Sequence, residues 1–156
     1  MIKKILLVII GALNSNVSIA SDWKELPNGF TGFYTENTSA GSRVILSDIT
    51  TGQGIMEVAL YTVNPKCGEH GAAGEAYMYI NNTLVQMSFL CTENGMSMYF
   101  GKNERGKDYI FTEFTKNNDV CYSFKKELKG LCFSTAGFNY ASKKLSSMII
   151  ERNNAL

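Results

Sequence analysis

The single histidine of the chain lies three residues after a cysteine, in the sequence Cys67-Gly68-Glu69-His70. A thiolate beside an imidazole can act as a nucleophile–base pair, and a cysteine and a histidine at this spacing can also bind a metal. No second Cys–His pair, no Cys-x-x-Cys and no G-x-S-x-G motif accompanies them. The sequence therefore favours a histidine in an exposed glycine-containing loop, and we predict no catalytic residue, no bound metal and no cofactor.

The remaining charged clusters are no more specific. Segment 101–107 contains two glycines and three basic residues, but Asp108 stands where a phosphate-binding loop needs serine or threonine. We interpret that segment as a solvated loop between a strand and a helix. Paired carboxylates would suit glycoside hydrolysis, but scattered glutamates are ordinary surface residues in a chain of this length. The four glutamates near the predicted sheet are Glu57, Glu69, Glu75 and Glu93.

The composition is that of a chain that can fold around its own core. Hydrophobic residues make up 45% of the 156 residues and charged residues 19%, so a packed domain is expected rather than a disordered chain. The formal net charge is only +1, which provides none of the basic surface that nucleic-acid binding requires. We therefore predict one domain and no nucleic-acid partner.

The first twenty residues have the pattern of a secretory signal peptide. Residues 1–4 carry two lysines, residues 5–13 are uncharged and mostly apolar, and Ser18-Ile19-Ala20 supplies the small residues that signal peptidase accepts. The apolar run is less than half of the about 20 residues that cross a bilayer. We predict cleavage after Ala20 and no membrane span in the mature chain.

The predicted mature chain, residues 21–156, is a single disulfide-stapled domain of 136 residues that retains all four cysteines. Without Lys3 and Lys4, the 15 basic residues become 13 against 14 acidic ones, so the mature chain is near neutral. The short lysine-based start is typical of bacterial signal peptides, so we expect a periplasmic or secreted protein. Both compartments allow disulfides.

Two short turns predict a three-stranded meander in the middle of the chain. Asparagine tolerates the left-handed conformation of a two-residue hairpin turn, so Asn81-Asn82 is expected to place Met78 opposite Val85. A second such turn at Asn94-Gly95 would place Cys91 opposite Met98 and Phe89 opposite Phe100. These registers predict one apolar face formed by Ala76, Met78, Ile80, Val85, Met87, Phe89, Cys91, Met96, Met98 and Phe100.

Further strands are predicted at residues 30–34, 43–46 and 55–63, and a hairpin over Val120–Ser134. A short helix is expected over 108–117, with Asp108 as its N-cap. A C-terminal amphipathic helix is expected over 136–152, capped by Ser134 or Thr135. Its predicted buried stripe is Phe138, Ala141, Leu145, Met148 and Ile149. The fold class is therefore α+β: an antiparallel sheet of about five to seven strands with both helices packed on it.

Four cysteines in an exported chain imply two disulfides, for which three pairings exist. The third hairpin places Val120 opposite Phe133 and Cys121 directly opposite Cys132, within the distance that a disulfide requires. That pairing leaves Cys67 for Cys91. We predict both bonds as structural.

Tyrosines provide the most suggestive surface. Tyr77 and Tyr79 point away from the apolar face, and Tyr99 shares their side in the predicted register. Tyrosine gives a large contact area at small entropic cost, so these residues are candidates for recognition, unless a helix covers their side of the sheet. Further candidate contacts are Lys102, Arg105 and Lys107.

We therefore expect an exported, non-catalytic binding module that recognises a protein partner, of the inhibitor or toxin-neutralising type. One alternative is a small secreted hydrolase that uses His70. The other is a structural or assembly protein of the envelope.

Overall fold

The computed structural model describes residues 22–27, 30–37, 41–48, 55–68, 70–92, 95–126 and 130–155. The predicted signal peptide, residues 1–20, lies outside the described residues. In the described part of the chain, no helix is long and apolar enough to cross a membrane.

The described strands form one antiparallel sheet of nine strands in the order β1-β2-β3-β4-β7-β6-β5-β8-β9. The antiparallel α+β fold is confirmed, but the expected number of five to seven strands was wrong. Strand β1 has two residues, which is too short for any alternation of polar and apolar side chains to reveal it. The strands are β1 Lys24–Glu25, β2 Gly32–Asn37, β3 Ser42–Ser47, β4 Glu57–Val63, β5 Ala73–Ile80, β6 Thr83–Cys91, β7 Met96–Gly101, β8 Asp119–Ser123 and β9 Leu131–Ser134.

The sheet curls into a half-barrel around the two helices, α1 (Glu104–Lys116) and α2 (Phe138–Asn154). The curl brings β2 close to β9, where the Asn37 Nδ2 donates a hydrogen bond of 3.0 Å to the carbonyl of Cys132. An aromatic cluster fills the space between sheet and helices. Trp23 packs edge-on against Phe114 and Phe138, with ring centroids 5.7 and 5.1 Å apart. Burial of these rings supplies much of the apolar driving force for folding.

Helix α1 begins four residues earlier than the sequence predicted. Asn103, not Asp108, is its N-cap, and the Asn103 side chain accepts a hydrogen bond of 2.9 Å from the Gly106 amide. The buried positions are Gly106, Ile110 and Phe114, spaced by four. Glycine carries no apolar signal, so the first buried turn was missed. Segment 101–107, predicted to be a loop, is therefore the end of β7 and the start of α1.

Helix α2 buries the predicted stripe, with Met148 partly buried against the core. Its cap differs from the prediction, because Gly137 at φ 90° is the N-cap and makes no side-chain capping bond. The Ser134 hydroxyl accepts from the amide of Ala136 instead, and the Thr135 hydroxyl donates to the Asn118 carbonyl at 3.0 Å. Both candidate caps are thus used to fix the loop before the helix.

The first hairpin has the predicted register, with Met78 opposite Val85 and Ala76 opposite Met87. Asn81 and Asn82 have φ values of 44° and 69°, as a two-residue turn of this kind requires. The Asn81 side chain adds two contacts. It donates to Glu113 at 2.8 Å and accepts from the Cys121 amide at 2.9 Å, so the turn also ties α1 to β8.

The second hairpin is shifted by one residue from the predicted register. Cys91 pairs with Ser97 and Phe89 pairs with Tyr99, not with Met98 and Phe100. The Thr92 amide donates to the Met96 carbonyl at 2.8 Å, so this pair closes the hairpin loop. Asn94, the first residue of the predicted turn, lies outside the described residues. Gly95 ends that loop at φ 70°, the left-handed position that three-residue hairpin loops favour.

This shift exchanges the two faces of β7. We call the side of the sheet that contacts the helices the inner face, and the opposite side the outer face. Met96, Met98 and Phe100 lie on the outer face, so their predicted place on the apolar face was wrong. On strands β4 to β7, the inner face contains Val58, Leu60, Thr62, Ala76, Met78, Ile80, Val85, Met87, Phe89, Cys91, Ser97, Tyr99 and Gly101.

Gly101 gives α1 room to pack against the inner face. A Cβ atom at this position would lie 2.6 Å from the Lys107 nitrogen and 2.8 Å from the Gly106 carbonyl carbon. Both neighbours are backbone atoms, so the helix itself would have to move. The end of β7 therefore needs a residue without a side chain.

We expect Gly101→Ala to lower the free energy of unfolding by about 2 kcal/mol, because the added methyl overpacks the contact with α1. Gly68→Ala is the matched control, since a Cβ at Gly68 has no atom within 4 Å. Urea denaturation followed by circular dichroism measures both variants. Equal stability of the two variants would contradict this account of how α1 packs.

Candidate functional site

The two disulfides join the cysteine pairs that the hairpin register selected. Cys67 bonds Cys91 with the Cα atoms 5.5 Å apart, and Cys121 bonds Cys132 with the Cα atoms 3.9 Å apart. No cysteine is free. Two intramolecular disulfides suit an oxidising compartment. They also remove the thiolate that a Cys67–His70 pair would need, and His70 lies exposed in a turn.

Two of the basic residues singled out in the sequence are held by carboxylates of the sheet. Lys102 contacts Glu75 at 2.6 Å, and the hydrogen bond from Lys102 lowers the pKa of Glu75. Lys107 contacts the buried Glu57 at 2.5 Å, and this hydrogen bond raises the pKa of Lys107. Both side chains thus have internal partners.

Arg105 lies apart from these pairs. It is exposed and lines a cavity of about 330 Å³ between the start of α1 and β6. Among the described residues, no group of three or more His, Cys, Asp or Glu side chains could hold a metal ion.

A gap in the sheet opens beside β5. Strand β8 pairs with β5 only at Tyr79 and Ile80, so one edge of residues 73–78 of β5 has no strand partner among the described residues. Strand β8 ends because the Ser123 hydroxyl donates to the Lys125 carbonyl at 2.6 Å and accepts from its amide at 3.2 Å. This local turn replaces the next ladder bonds and directs the chain away from β5.

The gap leads into a cavity of about 470 Å³ on the inner face. Its walls are mainly apolar and come from the end of β4 and from β5, β6 and β7. Lys66 and Tyr77 lie at its solvent side and are exposed. The principal wall residues are Val63, Ala76, Phe89, Tyr99 and Phe124.

Phe124 separates this cavity from a second one of about 200 Å³, because its side chain lines both. Its ring packs edge-on against Tyr99 with the centroids 5.7 Å apart, yet 55% of the residue is exposed. Leu60, Met78 and Tyr122 line the second cavity. The partly exposed Phe124 ring therefore lies between the two cavities of the inner face.

Tyr122 contributes a buried polar group next to the second cavity. The residue is 1% exposed, and its hydroxyl has no hydrogen-bond partner among the described residues. Burial raises the pKa of Tyr122, so the phenol stays protonated. An unpartnered buried hydroxyl costs roughly 1–3 kcal/mol, so this position is not optimised for stability alone.

The rim of the larger cavity is held rigidly. Asn64 donates from Nδ2 to the Ser97 hydroxyl at 2.9 Å, and its Oδ1 accepts from the Lys66 amide at 3.0 Å. Its carbonyl accepts from the Cys67 amide at 2.9 Å. The Cys67–Cys91 bond then fastens this segment to the end of β6. Three hydrogen bonds and a disulfide thus hold this segment of the rim.

Two of the three predicted tyrosines, Tyr77 and Tyr99, line the cavity, but the three tyrosines do not form one exposed surface. Tyr99 is 4% exposed and lies on the inner face, so its predicted place beside Tyr77 and Tyr79 was wrong. Tyr79 is half-buried on the outer face, and neither of the two described helices covers that face. Sequence reasoning missed Lys66, Phe89 and Phe124 as site residues. The strand pattern indicated that Phe89 faces inward, but nothing local predicts a gap beside β5.

Comparison of the chain with family models, with curated proteins and with solved structures found no match. Function is therefore inferred from the cavity and the exposed surfaces.

The Lys107–Glu57 contact predicts a stability that depends on pH. Lys107→Met removes a cation that contacts the buried Glu57 carboxylate, so we expect the free energy of unfolding to fall by about 2 kcal/mol at neutral pH. The hydrogen bond raises the pKa of Lys107 above 10.5 in the folded state. This stabilisation is therefore complete below that pH and is lost as the pH rises through the folded pKa.

Urea denaturation of wild type and variant from about pH 8 to about pH 11 measures the difference. We expect a constant difference at the lower pH values and a shrinking one at the top of the range. Lys102→Met is the control, because its partner Glu75 is exposed and little stability should be lost. A Lys107→Met protein as stable as the control would show that the contact contributes nothing.

Proposed function

We propose that the protein is an exported, non-catalytic binding module that takes up a small, largely apolar molecule in the cavity beside β5. The cavity of about 470 Å³ is the supporting observation. Its volume falls within the roughly 300–1,000 Å³ of small-molecule sites, and such sites are lined mainly by aromatic and aliphatic residues with a few polar groups.

Preformed walls support binding by this site. Phe89 and Tyr99 contact each other with ring centroids 5.6 Å apart, and Tyr99 also contacts Phe124. These rings give a ligand an apolar surface that needs no rearrangement to accept it, which lowers the entropic cost of binding. The Cys67–Cys91 disulfide holds the opposite side of the entrance.

Export is supported by two independent features. Residues 1–20 carry the pattern of a signal peptide, and the chain forms two disulfides, which persist outside the reducing cytosol. Both features favour export. We propose the bacterial periplasm or the exterior as the place of action.

An uncharged fluorescent probe tests the cavity. N-phenyl-1-naphthylamine is expected to bind the wild-type protein with an increase in fluorescence, because the cavity shields it from water. Ala76→Phe places a ring into the cavity and should weaken binding at least about tenfold. Ala73→Phe, the same change at an exposed position of β5, should leave binding unchanged.

Circular dichroism and thermal melts establish that both variants are folded. If the probe binds Ala76→Phe as tightly as Ala73→Phe, the cavity is not its site. If folded wild type does not bind the probe, the proposal of an apolar-ligand site is wrong.

Recognition of a protein partner is a second candidate, favoured by the outer face. An antiparallel sheet with one side in water normally exposes polar residues on that side. Here Tyr77, Leu84 and Leu90 are 58%, 53% and 40% exposed, and Met98 and Phe100 lie partly exposed between them and β4. Exposed apolar residues that share a sheet face are typical of interaction surfaces.

Capture of partners from periplasmic extract tests this candidate. The double variant Tyr77→Ala/Tyr79→Ala should recover less of any partner than wild type. Tyr140→Ala is the matched control, because Tyr140 is 65% exposed on α2, away from the outer face. Equal recovery by all three proteins would remove the outer face as a recognition surface.

A further inference from the structure

We propose that the ligand of the cavity beside β5 is an amphipathic monoanion, a carboxylate on an apolar chain or ring, whose charged group is bound by Lys66. This inference rests on the proposed function and names the class of molecule that the site selects.

The other charged or amide side chains that line the cavity, Glu75 and Asn64, already have partners. The Glu75 carboxylate is bound by Lys102 at 2.6 Å and by Gln86 Nε2 at 3.2 Å. The Asn64 amide is occupied on both sides by Ser97 and by the backbone of Lys66. The Glu75 carboxylate and the Asn64 amide are therefore already bound within the protein. Neither group is expected to select a ligand by charge.

Lys66 is the exception among the charged and amide side chains of the described cavity lining. Its side chain is exposed and makes no ion pair with any described carboxylate. Its backbone is fixed, since the Lys66 amide is bound by Asn64 and the next residue is in a disulfide. The ammonium group is therefore tethered at the entrance.

The charge at the entrance follows directly. Glu75 and Lys102 cancel each other, so among the described residues that line the cavity Lys66 alone contributes an uncompensated charge, which is positive. A positive charge at the mouth of a low-dielectric cleft attracts anions and disfavours cations. One unpaired charge suits one carboxylate, because the second charge of a dianion would have to lie near apolar walls without a partner.

The rest of the ligand must be apolar. Besides Lys66, the cavity is lined by Val63, Phe89 and Phe124, whose side chains carry no charge. Aliphatic and aromatic groups gain roughly 25 cal/mol for each Å² of apolar surface that they bury there. The apolar body therefore provides most of the affinity, and Lys66 orients the molecule with its carboxylate toward solvent.

A set of three eight-carbon probes separates these contributions: octanoate, 1-octanol and octylamine. They share one chain and differ in the charge of the head group. We expect octanoate to bind the full-length protein more tightly than octanol and octylamine to bind most weakly, as measured by isothermal titration calorimetry and by amide shifts in NMR. Added salt should weaken octanoate binding and leave octanol binding nearly unchanged.

Lys66→Gln should weaken octanoate binding about two- to fivefold, since a solvent-exposed ion pair is modest in strength. Octanol binding should not change. Lys143→Gln is the matched control, because Lys143 is an exposed lysine on α2. It should bind octanoate as wild type does.

The outcomes distinguish this inference from the proposed function. If octanol and octylamine shift the amides around the cavity as strongly as octanoate, or if Lys66→Gln binds octanoate normally, the monoanion proposal is wrong while the cavity remains a binding site. If neither these probes nor the naphthylamine dye binds there, the proposed function itself is wrong.

Discussion

The pairing of β6 with β7 is the constraint on which the helix packing and the cavity depend. Cys91 pairs with Ser97 and Phe89 with Tyr99, and every inward side chain of β7 follows from that register. Gly101 then lies beneath α1, Tyr99 forms a cavity wall, and Ser97 bonds Asn64. A shift of one residue would place Met98 and Phe100 inside and would leave no room for the helix. The packing of α1 and the shape of the site therefore have the same origin.

The sequence revealed structure where a local rule was sufficient. Asn81 and Asn82 set the first hairpin, and the opposed Cys121 and Cys132 set a disulfide, because in both cases neighbouring residues determine the geometry. The second hairpin differed because Gly95 can serve as the second residue of a two-residue turn or the third of a three-residue loop. Packing of α1 against Gly101 favours the longer loop, and that contact joins elements distant in the pattern.

The candidate site was less predictable than the fold. Tyr77 and Tyr99 were singled out and both line the cavity, but they were expected on one exposed surface. Phe124 was predicted only as part of the hairpin over Val120–Ser134, and no sequence pattern singles out Lys66. Their roles follow from the gap between β5 and β8, which exists because Ser123 bonds the backbone of Lys125. A single hydroxyl in competition with a ladder of backbone bonds leaves no periodic signal in a sequence.

The gap between β5 and β8 lacks the backbone hydrogen bonds that would join these two strands. Other interactions must therefore hold the two sides of the gap together. The two disulfides lie on either side of this gap: Cys67–Cys91 fastens the segment after β4 to the end of β6, and Cys121–Cys132 joins β8 to β9. Each lowers the entropy of the unfolded chain and stabilises the fold by roughly 3 kcal/mol in the loop-closure description. That amount is comparable to the net value of a few backbone hydrogen bonds. The disulfides therefore stabilise a sheet that is open beside β5 among the described strands. Under the proposed function, this open edge gives the ligand access to Phe89 and Tyr99.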